Sequence, residues 1–167
     1  MSETETVIDG KTFWRVLSQR ATGMTVVTGR SDQGPVGFLG LSAAHVTASP
    51  PTMLVSIDRK TSALGGILAK RCFAVNYLPA TANALADMFG GKGDPSQRFA
   101  EGDWGVLETG APVLKSALGV FDCIVDEVVE RDTVFIVIGR VVAVATNDGE
   151  PLVFFRGKTT SGIAGVP

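Results

Sequence analysis

The sequence has 167 residues, 45% of them apolar, with 15 basic and 17 acidic side chains and a formal net charge of −2. This apolar fraction excludes an intrinsically disordered chain, and the slightly acidic balance argues against a nucleic-acid-binding protein, which would carry a basic surface. The length predicts one domain whose core is large enough to be stable without disulfides.

The first half of the chain predicts one helix, several strands and then two further helices. Apolar residues at helical spacing indicate the helices, and β-branched runs bounded by glycine or proline indicate the strands. The first predicted elements are a flexible tail over 1–10, a helix over 11–21, a strand over 23–29 and a hairpin turn at 30–34. They are followed by an extended segment over 35–47, a strand over 52–58 and a helix within 59–71 that is capped by Thr61 or Ser62. A strand over 72–78 and a helix within 79–91 complete this half.

The second half is predicted to be almost entirely β. A polar loop over 92–104 and irregular turns over 105–118 precede the strands. The predicted strands are a half-buried one over 119–131, a fully buried central one over 132–146, and a last one over 151–158 after a hairpin turn at 147–149. Because no alternation of strand and helix continues along the chain, we predict a mainly β fold with peripheral helices. Residues 11–167 are expected to form a single antiparallel, closed barrel domain.

The N-terminal segment and the cysteines indicate a cytoplasmic protein. Residues 1–10 are acidic and polar, whereas a secretory signal peptide has a basic start and an apolar run. No apolar run is long enough to span a bilayer. Cys72 and Cys123 are far apart in the sequence and are predicted to be two buried, reduced thiols. Neither a membrane nor nucleic acid is expected as a partner.

Common catalytic and metal-binding motifs are missing from the sequence. His45 is the only histidine, so no histidine-based metal site is expected. There is no G-x-S-x-G nucleophile motif, no phosphate-binding P-loop and no G-x-G-x-x-G dinucleotide motif. Such a chain is either a binding protein or an enzyme in which a cofactor carries the chemistry.

Three segments could form a cofactor site. The small residues of 37–47 would let a flat ligand approach the backbone, although a glycine-bearing strand packed against a helix has the same pattern. The "DRKTS" segment, 58–62, offers cations, hydroxyls and helix amides that suit a phosphate, or else forms an ordinary capped helix start. The "FFRGK" segment, 154–158, could hold a planar anion, or else carries a solvated arginine.

Taken in order, these segments resemble the short-chain flavin reductase family, whose fold is the FMN-binding split barrel. The resemblance extends from Phe13 to about Lys158, and the ordered set is more specific than any one motif. The similar segments are "FWRVLSQRATGMTVVTG", "GFLGLSAAHVTASPPTMLVSIDRKTS", "CFAVNYL", "LADMFGG", "QRF", "GAPVLKSALGVFDCIV", "IGRV" and "LVFFRGK". The family includes the reductase components of two-component flavin monooxygenases.

The resemblance implies a homodimer with each flavin, FMN or FAD, in a groove at the dimer interface. The ring would meet the backbone of Leu39, Gly40, Leu41 and Ser42, with His45 and Val46 beside it. The ribityl and phosphate end would be held by Arg59, Lys60, Thr61 and Ser62. Arg98 and Phe99 would line the adenine side of FAD, and Phe155 and Arg156 would lie near the ring and the incoming nicotinamide.

The activity implied by the resemblance is hydride transfer from NADH or NADPH to the flavin, and the reduced flavin would pass to a partner monooxygenase. No acid or base of the protein is required, and His45 and Arg156 would at most position the reactants. The alternative is a flavin-binding carrier, sensor or interaction protein without turnover. Three departures from the family favour a weaker reductase activity. They are the apolar Leu39 and Leu41, Thr133 or Val134 in place of a histidine, and Thr159 in place of an aromatic residue.

Overall fold

The computed structural model describes residues 7–161, in which it places three α-helices and twelve β-strands. The helices are α1 (Gly10–Leu17), α2 (Leu64–Lys70) and α3 (Asn83–Phe89). The strands are β1 (Thr22–Gly23), β2 (Thr25–Ser31), β3 (Gly34–Leu39), β4 (Ala44–Ala48), β5 (Pro51–Asp58), β6 (Cys72–Tyr77), β7 (Trp104–Val106), β8 (Pro112–Leu114), β9 (Gly119–Arg131), β10 (Val134–Thr146), β11 (Leu152–Phe155) and β12 (Lys158–Ser161).

Seven strands form one antiparallel sheet in the order β3-β2-β6-β9-β10-β5-β4. The small sheets β1-β11-β12 and β7-β8 lie outside it. In the described residues the sheet ends at β3 and β4, which do not pair with each other, so the predicted closed barrel is wrong in this detail. The mainly β, antiparallel architecture with peripheral helices is confirmed.

The core lies on both faces of the central strands, because neighbouring residues of a strand point to opposite faces. Val26 of β2 belongs to one buried cluster together with Phe89 of α3, whereas the next residue, Val27, belongs to a second cluster. Phe73 of β6 and Ile67 of α2 pack in that second cluster. Helices α3 and α2 therefore cover opposite faces of the sheet.

Several predicted elements are confirmed, including the β2–β3 hairpin, whose two-residue turn is Asp32-Gln33. The predicted extended segment 35–47 is interrupted by a turn that separates β3 from β4. The predicted irregular segment 105–118 contains β7 and β8. Cys72 and Cys123 are free and buried, as expected.

The helix cap predicted at Thr61 or Ser62 is wrong. Ala63 is the residue that precedes α2, and no side chain caps this helix. The reason is a preceding turn, in which the Thr61 amide donates to the Asp58 carbonyl over 2.9 Å and the Leu64 amide donates to the Thr61 carbonyl over 3.1 Å. Because of this turn, the helix begins later in the sequence than predicted.

The predictions for the last strands also need correction. Residues 147–149 do not form a hairpin, since β11 pairs with β1 and β12 and not with β10. The predicted last strand 151–158 is two strands joined by a tight turn at Arg156-Gly157, where both residues have positive φ. β10 is only partly buried, and its Val144 is 60% exposed.

Candidate functional site

A cleft of about 680 Å³ brings together three of the segments singled out in the sequence. It lies between the β2–β3 hairpin, α2 and the loop after α3. Gly37 comes from the small-residue segment, Ser62 from the "DRKTS" segment, and Arg98 and Phe99 from the "QRF" segment. We call this cavity the main cleft.

Arg98 is the polar residue of the main cleft whose bonding is incomplete. One guanidinium nitrogen, Nη1, donates to the Gly37 carbonyl over 3.2 Å. Its Nε atom is buried and has no hydrogen-bond partner in the described part of the chain. A buried donor without a partner is unfavourable. Because this nitrogen is closed to solvent, a ligand oxygen would reach it only after the Arg98 side chain moves.

An aromatic cluster supports the same wall of the main cleft. The Phe99 ring lies 5.1 Å from the Phe89 ring and 5.0 Å from the Trp104 ring, measured between centroids. Gly37 touches this cluster so closely that a Cβ atom there would lie 2.8 Å from Cε1 of Phe89. The small residue is therefore required by packing, and the cluster fixes the position of Phe99.

Two charged residues of the main cleft were not found from the sequence. Lys70, at the end of α2, forms an ion pair with Asp32 in the β2–β3 turn, and both line the cleft. Neither residue belongs to a motif, and their separation of 38 positions gave no signal. The only sequence signal for Lys70 was its place in the last turn of a predicted helix, where a basic residue is favourable.

Arg59, Lys60 and Thr61 do not line the main cleft. The guanidinium of Arg59 forms an ion pair with Glu130 and lies 5.0 Å from the centroid of the Phe135 ring. The Lys60 amide donates to Oδ1 of Asp58 over 2.8 Å. Within the chain, Arg59 is thus occupied by other residues, and the phosphate-binding role of the three remains a prediction.

The loop predicted to meet the flavin ring, residues 39–42, has two available backbone amides. Gly40 is already satisfied, because its amide donates to the Thr25 carbonyl over 2.9 Å and its carbonyl accepts from the Thr25 hydroxyl. The Ser42 hydroxyl donates to the Ser56 carbonyl over 2.9 Å. No hydrogen bond within residues 7–161 uses the amide of Leu41 or Ser42.

His45 and Val46 lie on β4, the end strand of the large sheet, whose five residues are all exposed. His45 is opposite Met53 of β5, and the register shifts at Val46. Neither residue lines the main cleft. Their proposed contact with a flavin therefore requires a surface that the single chain does not complete.

Phe155 and Arg156 end β11 and begin its tight turn to β12. The Arg156 guanidinium lies 4.9 Å from the Phe155 ring centroid, and its Nε donates to Oε1 of Gln19 over 2.9 Å. The Arg156 amide donates to the Ser18 carbonyl over 3.1 Å. Arg156 thus ties this turn to the end of α1, which the sequence did not predict.

The three departures from the family fall outside the main cleft. Thr133 is exposed in the β9–β10 turn, and its carbonyl accepts from the Arg59 amide over 2.9 Å. Val134 begins β10, opposite Asp58 of β5. Thr159 is exposed on β12.

Neither buried thiol is suited to nucleophilic chemistry. Burial and, to a smaller extent, the charge of Asp122 together raise the pKa of Cys123 to about 12. Burial also raises the pKa of Cys72. Both thiols therefore stay protonated near neutral pH, where only a thiolate would be a good nucleophile.

No group of three or more His, Cys, Asp or Glu residues in 7–161 is arranged to hold a metal ion. None of the helices in that range is long and apolar enough to cross a bilayer. The main cleft contains a guanidinium, an ammonium, a hydroxyl and an aromatic ring, from Arg98, Lys70, Ser62 and Phe99. These groups fit a phosphate-bearing cofactor such as a flavin nucleotide.

Comparisons with known proteins agree with this chemistry. FMN reductase (NADH) RutF of Agrobacterium fabrum is 37% identical over 156 residues, which are 92% of this chain and 90% of that protein. A nitrilotriacetate monooxygenase component B homologue from Mycobacterium thermoresistibile has a TM-score of 0.85 at 30% identity, over 94% of this chain and 89% of that chain.

A third similar protein is the NADH:FAD oxidoreductase SgcE6 of Streptomyces globisporus C-1027, solved with NAD and FAD fragments. Its TM-score is 0.85 at 25% identity, over 96% of this chain and 99% of that chain. The likeness to these structures confirms the predicted split-barrel class. The family described as flavin reductase like domain matches residues 17–162. The chain therefore belongs to the flavin reductase like domain family.

Proposed function

We propose that this protein is an NADH-dependent flavin reductase that reduces FMN or FAD. The similar proteins support this activity, since one is named as an NADH-dependent FMN reductase and another as an NADH:FAD oxidoreductase. The observation on this chain that carries the proposal is the main cleft of about 680 Å³, in which the buried Nε of Arg98 has no partner among residues 7–161.

The phosphate-bearing end of the flavin would lie in the main cleft. Arg98 and Lys70 would supply positive charge there, and Ser62 would supply a hydroxyl donor. Phe99 would pack against the adenine if the flavin is FAD. Arg59 would take part only if its side chain leaves Glu130.

The ring of the flavin would lie against the 39–42 loop. The amides of Leu41 and Ser42 would donate to its polar edge, since Gly40 is already bonded to Thr25. Leu39 and Leu41 would form an apolar contact surface. The loop would thus hold the ring through backbone donors, in place of the side-chain bonds that the apolar residues cannot make.

A bound flavin would supply the acceptor for the hydride of NADH, which would become NAD⁺, and solvent would supply the proton that balances the two-electron reduction. The protein contributes position and electrostatics to this transfer. The free amides of the 39–42 loop would stabilise negative charge on the ring edge. Arg156, fixed by Gln19 and by the Phe155 ring, would guide the incoming nucleotide.

We propose that two copies of the chain form a homodimer and complete the groove. In support of this, all residues of the end strand β4 are exposed, and Val46 on it is 46% exposed. Val144 on β10 is also exposed. Exposed apolar residues near a sheet edge that has no neighbouring strand are typical of a surface covered by a partner. His45 would then face the groove from β4.

The reduced flavin would leave for a partner monooxygenase. This is supported by the similar Mycobacterium thermoresistibile protein, which is named as a monooxygenase component B homologue. The cytoplasmic location expected from the sequence and the single domain over 11–167 remain predictions.

An anaerobic assay tests the proposed activity. The purified protein is mixed with FMN or FAD, NADH or NADPH is added, and loss of the visible flavin absorbance is followed. We expect rapid bleaching with NADH at catalytic protein concentrations. If flavin is bound without bleaching, the alternative of a flavin carrier or sensor is correct, and if neither occurs, both are wrong.

A pair of arginine substitutions tests the location of the phosphate end. Arg98→Gln removes the charge and is expected to weaken flavin binding about 10- to 100-fold, since a hydrogen bond to a charged group contributes about 1.5–3 kcal/mol. Arg131→Gln is the matched control, because Arg131 is exposed and lies next to Asp132 away from the main cleft. Equal flavin affinities of the two variants would show that the main cleft does not hold the phosphate.

A further inference from the structure

A carboxylate lines the main cleft, where the proposed function places the phosphate of the flavin. The described lining residues include two bases, Lys70 and Arg98, and a single acid, Asp32. Asp32 lies in the turn between β2 and β3, and its side chain is 89% exposed. A phosphate monoester carries a charge of about −1.5 to −2 near neutral pH, so a carboxylate beside it opposes its binding. An acid is therefore unexpected in the lining of a phosphate site.

Asp32 is paired with one of the two bases. The ammonium of Lys70, the last residue of α2, donates to Oδ1 of Asp32 and forms an ion pair with it. The hydrogen bond and the charge of Lys70 lower the pKa of Asp32, so this carboxyl group is ionised near neutral pH. In the flavin-free chain, Asp32 thus takes the place on Lys70 that an anionic ligand would need.

Lys70 is more accessible to a phosphate than Arg98 is. The Arg98 guanidinium donates to the Gly37 carbonyl over 3.2 Å, and its Nε is closed to solvent. By contrast, the Lys70 side chain is 40% exposed and carries a compact ammonium on a flexible stem. Exposed ion pairs contribute little to stability, so this ammonium can turn from the carboxylate to an incoming phosphate. Lys70 is therefore the cation that a phosphate can reach without rearrangement of buried groups.

The ion pair of Asp32 and Lys70 is not required to hold α2 against the β2–β3 hairpin. Ile67 of α2 is fully buried, and a Cβ atom on Gly29 of β2 would lie 2.6 Å from its Cγ1. A Cβ atom on Gly66 of α2 would likewise lie 2.6 Å from the Arg30 carbonyl oxygen. Close packing thus fixes the helix on β2, and the ion pair can open while the walls of the main cleft stay in place.

We propose that Asp32 competes with the flavin phosphate for Lys70 and thereby lowers the affinity of the protein for flavin, which rests on the proposed reductase function. On binding, the phosphate takes the ammonium of Lys70, and the exposed carboxylate of Asp32 becomes hydrated. On release, Asp32 pairs with Lys70 again. The exchange makes the flavin a ligand that dissociates readily, which is required of a reduced flavin that passes to a second protein.

The test compares titrations with FMN and with riboflavin, which has the same ring and ribityl chain but no phosphate. Asp32→Asn should lower the Kd of FMN about two- to fivefold, the factor that corresponds to an exposed ion pair, and leave the Kd of riboflavin unchanged. Asparagine is also favoured in turns, so the hairpin should fold as before. Asp103→Asn is the matched control. It removes the same charge and breaks the 2.9 Å ion pair with Lys115, and neither residue lines the main cleft.

A double-mutant cycle tests whether Asp32 acts through Lys70. In a Lys70→Gln background, Asp32→Asn should no longer change the Kd of FMN, because the cation for which the two anions compete is absent. If the gain in affinity persists there, Asp32 acts only as a general negative charge and the proposal is wrong. Weaker FMN binding by Asp32→Asn would show that Asp32 itself holds the flavin, which also overturns the proposal.

The outcomes separate this proposal from the proposed function. If wild type reduces FMN with NADH but Asp32→Asn and Asp103→Asn have the same Kd for FMN, the competition by Asp32 is refuted and the reductase function stands. If Asp32→Asn binds FMN more tightly but wild type does not bleach it, the competition is supported and the reductase function is refuted.

Discussion

Gly37→Ala should both destabilise the protein and weaken flavin binding. The added Cβ would lie 2.8 Å from Cε1 of Phe89, 3.1 Å from the Val27 carbonyl oxygen and 3.2 Å from Cζ of Phe99. Favourable contacts between carbon atoms are about 3.5–4.0 Å, so at least one ring must move by about 0.7 Å. Phe89 is 3% exposed, so its ring can move only by displacing other core residues.

The expected loss of stability is about 1–3 kcal/mol, which is the usual cost of an added methyl group in a packed core. For a chain of this length, each kcal/mol lowers Tm by about 2–4 °C, so Tm should fall by about 2–12 °C. Flavin affinity should fall about tenfold, because movement of Phe99 and of the Gly37 carbonyl displaces Arg98, and one hydrogen bond to a charged group contributes about 1.5 kcal/mol.

Urea unfolding and a flavin titration measure the two effects. Gly65→Ala is the matched control, because Gly65 also lines the main cleft but has no atom within 4 Å of its added Cβ. As a residue of α2, it should gain up to about 1 kcal/mol of stability from the better helix former. If Gly37→Ala is as stable as wild type and binds flavin equally well, the aromatic cluster does not support the main cleft as described.

Three further substitutions have defined outcomes. The double substitution Arg59→Ala with Lys60→Ala should weaken flavin binding in a titration if Arg59 exchanges Glu130 for the flavin phosphate. Unchanged flavin affinity would show that these two residues do not bind the phosphate. His45→Ser should keep its turnover, whereas collapse of turnover with intact flavin binding would make His45 catalytic. With Cys123→Ala, the free energy of unfolding should decrease less steeply above pH 9 than it does in wild type. The thiol pKa rises from 9.0 to about 12 on folding, so the unfolded chain loses this proton first and wild type loses about 1.4 kcal/mol per pH unit over that range. Equal slopes of unfolding free energy against pH would contradict this.

Local sequence patterns predicted the elements whose structure depends on neighbouring residues. The alternation in β5 places Met53, Val55 and Ile57 in the core, as a period of two requires. The polar segment after β2 forms the predicted hairpin, because short polar residues favour a tight turn. By contrast, the predicted hairpin after β10 failed, because the partner of β11 is β1, more than a hundred residues away in the sequence.

The sequence by itself determined the strand-rich composition, the buried thiols and the family, because these follow from residue type, local periodicity and the order of motifs. Only the tertiary structure decided which polar groups share a cavity. Arg98 meets Gly37, and Lys70 meets Asp32, because the loop after α3 and the end of α2 both lie beside the β2–β3 hairpin, which no local pattern specifies. The same holds for Arg59, whose pairing with Glu130 depends on the register between β5, β10 and β9. Spatial neighbours of this kind are fixed by strand order and register, which arise from burial of the whole core and not from the residues adjacent in sequence.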